Sequence, residues 1–100
     1  MQEEYVQYRD RYWQIQIGPR VIVSGDACDG VCIDDRPPVI YIDGSLSGVE
    51  MLETILHEGL HAEFPDLSEE SVTRAAKNSA VACWKLREFW SKHDASDGTG

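Results

Sequence analysis

The stretch that decides the fold is residues 47–63, SGVEMLETILHEGLHAE. Ser47 and Glu50 have the S-x-x-E spacing of a capping box, in which each side chain bonds a backbone N–H at the start of a helix. Leu46 and Met51 occupy the two positions of a hydrophobic staple, which fixes the angle at which the chain enters the helix. These start signals predict a helix that begins directly after the serine.

A second helix is predicted downstream of the first. The first helix should cover residues 48–63, because Phe64 precedes Pro65 and the residue before a proline avoids helical geometry. Ser68 is suited to N-cap the next helix, along which an apolar stripe at helical spacing continues to Trp90. The short turn between the two helices should fold the second one back antiparallel to the first.

The first half of the chain has strand patterns. Residues 39–42, VIYI, are the strongest strand candidate, because they are β-branched or aromatic and an Asp-Gly pair ends the run. Residues 13–17 alternate apolar side chains with Gln, and residues 21–23 are a second, short candidate. Residues 24–38 are rich in Gly, Asp and Pro, which predicts a long hairpin or loop. Strands followed by helices predict an α+β fold, in which a small antiparallel or mixed sheet packs on the first helix.

The composition limits the chain to one small domain. With 100 residues, 42% of them hydrophobic and 27% charged, the chain can bury one modest core and is too apolar to be disordered. We assign residues 1–90 to a single domain and the polar residues 91–100 to a flexible C-terminal tail. No apolar run could span a bilayer, and the acidic start MQEE lacks the layout of a secretory signal, so we expect a cytoplasmic protein.

The net charge of the chain limits the classes of partner that we expect. Nine basic residues against 18 acidic ones give a net charge of -9, which repels phosphate backbones and anionic lipids. We therefore expect neither a nucleic-acid partner nor a membrane partner.

The odd number of cysteines predicts reduced thiols, with Cys28 and Cys32 in the loop and Cys83 as a small core residue of the second helix.

The first helix carries His57-Glu58-Gly59-Leu60-His61, the H-E-x-x-H spacing. Residues four apart lie about 40° apart around a helix and one turn apart along it, so both imidazoles can bind one Zn²⁺ from the same side. Glu58 projects about 100° from His57, where a carboxylate can take a proton from a zinc-activated water. The apolar residues of the helix occupy the remaining arc, which places the histidines at the rim of the buried face.

A catalytic zinc site needs a third protein ligand. The candidates are the acidic residues that follow the second histidine: Glu63, Asp66, Glu69 and Glu70. Glu69 shares a helix face with Val72 and Ala76, so it points toward the first helix, whereas Glu70 lies on a polar stripe. We favour Glu69, with Glu70 as the first alternative and Asp66 or a water as the others.

For the other roles around the metal site, the sequence offers candidate residues but does not choose between them. Thr73 or a backbone carbonyl of the sheet could accept a hydrogen bond from a ligating histidine. Tyr41 and Arg74 are candidates for stabilising a tetrahedral oxyanion, although strand packing and surface solvation are the more ordinary explanations for them. The edge of the strand at residues 39–42 could hold an extended peptide, unless that strand is central. The aromatic cluster is more typical of packing than of a binding platform: Tyr5, Tyr8, Tyr12 and Trp13.

The segments at residues 41–46, 52–62 and 67–70 resemble small phage and bacterial metallopeptidase-like proteins, akin to the minigluzincins and more loosely to SprT-like proteins. The similarity covers roughly residues 12–90, and H-E-x-x-H is its most specific part. The resemblance implies a small sheet packed on an active-site helix. It also implies a zinc-dependent metallopeptidase that acts on a peptide or protein substrate.

Roles for individual residues follow from the resemblance: Zn²⁺ held by His57, His61 and Glu69, with Glu58 as the general base. Two features depart from larger gluzincins, in which the glutamate ligand follows much later in the chain and a second subdomain walls the cleft. Turnover is therefore expected to be weak, latent or restricted. The alternatives are a non-catalytic zinc-stabilised interaction domain, an inactive relic of such a peptidase, and a soluble domain without metal.

Overall fold

The structure, a computed structural model, describes residues 2–19, 21–23 and 26–90. The strands are β1 (Gln2–Tyr8), β2 (Arg11–Gly18), β3 (Val21–Val23), β4 (Asp26–Cys28), β5 (Gly30–Ile33) and β6 (Val39–Asp43). The helices are α1 (Gly48–Glu63) and α2 (Glu69–Lys85). Because all described strands precede both helices, the fold is α+β, as the sequence predicts.

Four of the strands form one mixed sheet in the order β1-β2-β6-β5. β2 and β6 are parallel, whereas β1 and β5 run antiparallel to their neighbours. β3 and β4 pair with each other in a separate two-stranded sheet. β6 is therefore central, so the expectation that residues 39–42 offer a peptide-binding edge is wrong. The two edges of the mixed sheet are β1 and β5.

The helix α1 covers one face of the mixed sheet, because that face carries the apolar side chains. Trp13, Ile40 and Ile42 point toward α1 and form a core cluster with Ala62, and each of the four is at most 1% exposed. The parallel register pairs Ile15 with Ile40, which keeps the isoleucines of both strands on this face. Burying a side chain of this size stabilises the fold by about 1.5–3 kcal/mol, so the apolar face fixes where the helix lies.

The predicted bounds of α1 are confirmed, but its capping box is not. The helix covers Gly48–Glu63, and Phe64 donates its N–H to the Leu60 carbonyl at the C-terminal end. Ser47 makes no side-chain cap hydrogen bond. Gly48 has a φ of 59°, outside right-handed helical geometry, so the serine oxygen is not aligned with the first N–H groups of the helix.

The helix α2 begins as predicted and ends earlier than predicted. The Ser68 hydroxyl accepts the backbone N–H of Ser71, which confirms the N-cap. Leu86 is the C-cap, so the expectation of one continuous helix to Trp90 is wrong, and a separate helical turn follows. Residues 81–90 are all exposed, so no core contact supports an unbroken helix there.

The two helices pack antiparallel, as predicted. Val72, Ala76 and Ala80 of α2 form the seam, and none of them is exposed. Trp84 near the end of α2 reaches Gly48 at the start of α1, which fixes the antiparallel direction. The main packing partner of α2 is α1, and no described strand contacts α2 to a comparable extent. In the described ranges, neither helix combines the length and apolarity that a bilayer crossing requires.

The structure corrects other sequence predictions. For residues 24–38, where the sequence predicts a long hairpin or loop, the structure has β4, which pairs antiparallel with β3, and β5, which pairs along β6 despite the surrounding Gly and Asp residues, so the prediction of a long loop is wrong. β1 has no sequence pattern to predict it, since its side chains at residues 3–7 are exposed and mostly polar. Cys83 is exposed instead of core, because it lies on the solvent side of α2. The predicted tail, residues 91–100, lies outside the described residues.

Candidate metal centre

Two histidines, one turn apart on α1, form the first part of the candidate centre. The rings of His57 and His61 have centroids 4.8 Å apart, and their Nε2 atoms are 3.1 Å apart. Their side chains are 20% and 25% exposed, so both rings lie at the border between the packed face of α1 and solvent. This is the rim position that the spacing predicts.

The third member of the cluster is Glu69, the first residue of α2. Its Oε1 lies 2.9 Å from His57 Nε2, and its Oε2 lies 2.8 Å from His61 Nε2. The carboxylate reaches the histidines because Val72 and Ala76, on the same face of α2, are buried against α1. Among the described residues, this is the one group of three His, Cys, Asp or Glu side chains whose ligand atoms lie within 4.8 Å of one another.

The other proposed ligands do not join the histidines. The Glu63 carboxylate accepts the backbone N–H of Arg9 instead. Asp66 lies in the exposed turn between the helices, and Glu70 is exposed on the first turn of α2. Neither of these two belongs to the cluster. The geometry therefore distinguishes between neighbouring acids that the sequence left as alternatives.

The spacing of the donor atoms fits a single zinc ion. Tetrahedral ligands at roughly 2.0–2.1 Å from zinc lie about 3.3 Å from one another. The two imidazole nitrogens are 3.1 Å apart, and they lie 2.9 and 2.8 Å from the two different oxygens of Glu69, separations that are slightly shorter and that small side-chain rotations can widen. Two imidazoles and one carboxylate are a donor set that zinc accepts, and they leave the fourth position open for water or substrate.

Glu58 lies beside the cluster without belonging to it. Its side chain is 8% exposed and lines the same cavity as the two histidines and Glu69. Burial raises the pKa of Glu58, an effect that His57 and His61 oppose and Glu69 reinforces. A partly desolvated carboxylate at this position is suited to accept a proton rather than to hold the metal.

A cleft of about 490 Å³ opens over the cluster. Gly30, Val31 and Cys32 of β5 line one side of it, and Pro65 and the carboxylate-bearing start of α2 line the other. β5 is an edge of the mixed sheet, with β6 as its sheet partner. The cleft therefore places one outer strand of the sheet next to the candidate metal ligands.

Gly30 allows β5 to come this close to α1. A Cβ atom at this position would lie 2.9 Å from Thr54 Cγ2 and 3.2 Å from Glu58 Cγ. Any other residue would push the strand away from the helix or displace the Glu58 side chain. The sequence gives no clear signal for this role, because Gly30 follows Asp29 and an Asp-Gly pair is typical of a turn.

Two arginines outside the cleft bind Asp34, which lines it, a role that the sequence does not reveal. Arg9 and Arg11 both donate to the Asp34 carboxylate, and their guanidinium groups lie 5.8 and 5.6 Å from the centre of the Trp13 ring. Arg9 Nε also donates to the Ala62 carbonyl of α1 at 2.7 Å. Hydrogen bonds from the two arginines hold the pKa of Asp34 below its ordinary value. The network ties β2 and the segment after β5 to the end of α1.

The remaining candidate groups lie away from the centre. Tyr41 alternates with Ile40 along β6, so it lies on the sheet face opposite α1. Thr73 and Arg74 are exposed on α2 and do not line the cleft. The four residues of the aromatic cluster lie on different faces of the sheet. Tyr8 and Trp13 are on the face that packs on α1, and Tyr5 and Tyr12 are exposed on the other face.

Cys32 is a thiol on the wall of the cleft. Neither Cys32 nor the other two cysteines form a disulfide in this structure. Burial raises the pKa of Cys32 to about 11, and the charges of Glu58 and Asp34 add to the shift while Arg9 opposes it. The thiol therefore stays protonated near neutral pH, and it does not belong to the ligand cluster.

Comparisons with known proteins leave the site to be interpreted from its own geometry. No protein-family model matches the sequence, no curated protein matches it, and no solved structure matches the fold.

Proposed function

We propose that this protein is a zinc-dependent metallopeptidase that hydrolyses peptide bonds in a peptide or protein substrate. The observation that carries the proposal is the convergence of His57, His61 and Glu69, from two helices, with donor atoms 2.8–3.1 Å apart. The buried Glu58 carboxylate beside this cluster adds the proton acceptor that hydrolysis requires. A cytoplasmic setting belongs to the proposal, because an odd number of cysteines suits a reducing compartment.

Each residue of the site has a distinct role in this proposal. His57, His61 and Glu69 hold the zinc ion. The bound ion supplies Lewis acidity, which polarises the scissile carbonyl and makes water easier to deprotonate. Glu58 accepts the proton of the attacking water and transfers it to the leaving amine. Glu58 can do both because its side chain lines the cleft next to the ligands.

The outer edge of β5 is the proposed position of the substrate backbone. β5 is an edge strand, and Gly30, Val31 and Cys32 line the cleft. An extended peptide that pairs with such an edge gains main-chain hydrogen bonds, while alternate side chains provide specificity. The close approach at Gly30 brings a peptide on this edge near both Glu58 and the ligand cluster.

The test compares the wild type with Glu58→Gln in a cleavage assay. Zinc-loaded protein is incubated with a complex peptide library, and new peptide ends are identified by mass spectrometry. Glu58→Gln should still bind one zinc per chain but cleave at least about 100-fold more slowly, because the proton acceptor is lost. Glu50→Gln, exposed on the first turn of the same helix and outside the ligand cluster, is the matched control and should keep both properties. Cleavage by Glu58→Gln at the wild-type rate contradicts the proposal.

A second candidate is a non-catalytic, zinc-stabilised interaction domain. Among the described residues that line the cleft, no Tyr, Arg or Lys side chain is placed to stabilise an oxyanion, and this observation favours the second candidate. It predicts one zinc per chain, stabilisation by zinc, and no cleavage of any library peptide by the wild type. Cleavage that depends on Glu58 excludes it.

A further inference from the structure

A second cavity, of about 370 Å³, lies on the flank of α1 that faces away from the metal centre. Its floor is formed by Ile40 and Ile42, and Ile15, Ile17 and Ile55 line its walls. Ile55 projects about 160° from His57 around the helix, which separates this cavity from the ligand cluster. We call it the isoleucine groove.

The outer rim of the isoleucine groove is acidic. Glu4 of β1 lies on this face of the sheet next to Ile15, and its side chain is exposed at the rim, whereas the neighbouring Glu3 directs its carboxylate to the other face, where it accepts a hydrogen bond from Gln14. An apolar floor with an acidic rim favours an occupant that is apolar and positively charged. It disfavours fatty acids and acidic peptides, because their charge has the same sign as the rim.

A segment of the same chain has these complementary properties. We define the end segment as residues 81–90. Its exposed large apolar side chains, each between 37% and 64% exposed, are Val81, Trp84, Leu86, Phe89 and Trp90. Lys85 and Arg87 against Glu88 give the segment a net charge of +1, in a chain whose net charge is -9. The Arg87 guanidinium lies 4.2 Å from the centre of the Trp84 ring, so one cation is held directly on the apolar surface.

We propose that the end segment of one copy of this chain occupies the isoleucine groove of a second copy. Within one copy the end segment is exposed and the groove is open, although Trp84 already contacts the start of α1 at Gly48. Two such apolar surfaces on one small domain are unfavourable in water unless they are covered. Reciprocal exchange covers both surfaces at once and closes the assembly as a two-fold symmetric dimer.

The opposite charges of the two surfaces select the second copy as the occupant. The carboxylate of Glu4 at the rim meets Lys85 and Arg87 of the partner copy in the exchanged arrangement. Aromatic and arginine side chains are the types that dominate binding at protein interfaces, and the end segment contains both. The dimer does not depend on zinc, because the groove and the ligand cluster lie on different flanks of α1.

The experiment measures the molar mass of the full chain by light scattering after size exclusion, over a concentration series. The wild type should have twice the chain mass of 11.3 kDa. Trp90→Glu in the end segment and Ile55→Glu in the groove should each weaken the dimer about thirtyfold or more. Tyr12→Glu, a change at a side chain that is 67% exposed on the other sheet face, is the control and should remain dimeric. Circular dichroism verifies that all variants are folded.

Mixing the two weakened variants gives the sharpest result. Trp90→Glu retains an intact groove and Ile55→Glu retains an intact end segment, so their mixture can form one of the two contacts. We expect heterodimers in the mixture at concentrations where each variant alone is monomeric. A wild type that stays monomeric overturns the proposal, as do a dimer that survives both substitutions and a wild type that forms open polymers.

Discussion

The two helices are held in place by different partners. α1 lies between the mixed sheet and α2, and its residue Ala62 belongs to the same core cluster as Trp13 and Ile40. α2 packs mainly on α1, through a narrow seam of which Val72 is the largest side chain. The position of the two histidines is therefore fixed by the core of the fold, whereas the position of Glu69 depends on the helix seam and on whatever the cluster binds.

The largest expected effect comes from removing the core that fixes α1. Trp13→Ala should lower the free energy of unfolding by about 3–5 kcal/mol, because a fully buried indole leaves a cavity between the sheet and the helix. Urea unfolding followed by circular dichroism measures this change. Tyr12→Ala, at the exposed neighbouring position, should change the free energy by less than about 0.5 kcal/mol. A loss below about 1 kcal/mol for Trp13→Ala contradicts the assigned core.

Zinc binding should stabilise mainly α2. At a free zinc concentration 100 times its dissociation constant, binding to the folded state alone stabilises the fold by about 2.7 kcal/mol. Chelation should remove this stabilisation, and amide exchange should become faster at the start of α2 while the sheet stays protected. Thermal unfolding and hydrogen exchange measure the two effects. His57→Ala should unfold at the same temperature with and without zinc, and a zinc response in that variant argues against the cluster as the binding site.

The thiols beside the two helices should differ in reactivity. Because the pKa of Cys32 is raised from 9.0 to about 11, its thiolate at pH 8 is about 100-fold less abundant than that of an unperturbed thiol. Alkylation of metal-free protein, followed by peptide mass spectrometry, should label exposed Cys83 of α2 much faster than Cys32. The labelling rate of Cys32 should keep rising with pH above 9. A plateau near pH 9 contradicts the burial of this thiol.

The smallest expected effect is a difference in stability between variants of the two N-cap serines. Ser68→Ala should lower the free energy of unfolding by about 1 kcal/mol, because the Ser68 hydroxyl accepts the N–H of Ser71. Ser47→Ala should have almost no effect, since that serine makes no cap hydrogen bond. Chemical denaturation of both variants tests the pair. Equal losses of unfolding free energy in the two variants would contradict this difference in capping.

Local sequence signals were sufficient for the bounds of α1, the start of α2 and the approach of Glu69 to the two histidines, but not for the end of α2. The proline after Phe64 and the N-cap at Ser68 set the turn between the helices. Once that turn is short, the two helices must be antiparallel, and the helical period brings Glu69 rather than Glu70 to the histidines. These features depend on residues close together in the chain, which is why the sequence reveals them.

Features that depend on distant residues could not be predicted. β5 forms a strand because β6 offers it a partner, and β1 forms one because β2 does, although neither has a clear apolar alternation. The role of Gly30 follows from the approach of α1 to β5, and the exposure of Cys83 follows from the side on which α2 packs. In each case tertiary pairing, rather than local preference, decides the structure.

The most direct test is a zinc titration of the wild type, Glu69→Gln and Glu70→Gln under identical conditions. The two substituted acids are neighbours on the first turn of α2, and only Glu69 contacts His57 and His61. We expect Glu70→Gln to bind one zinc with wild-type affinity and Glu69→Gln to bind at least about 100-fold more weakly, because it lacks a ligand. Equal affinity of the two variants, or weaker binding by Glu70→Gln, contradicts a metal centre built from His57, His61 and Glu69.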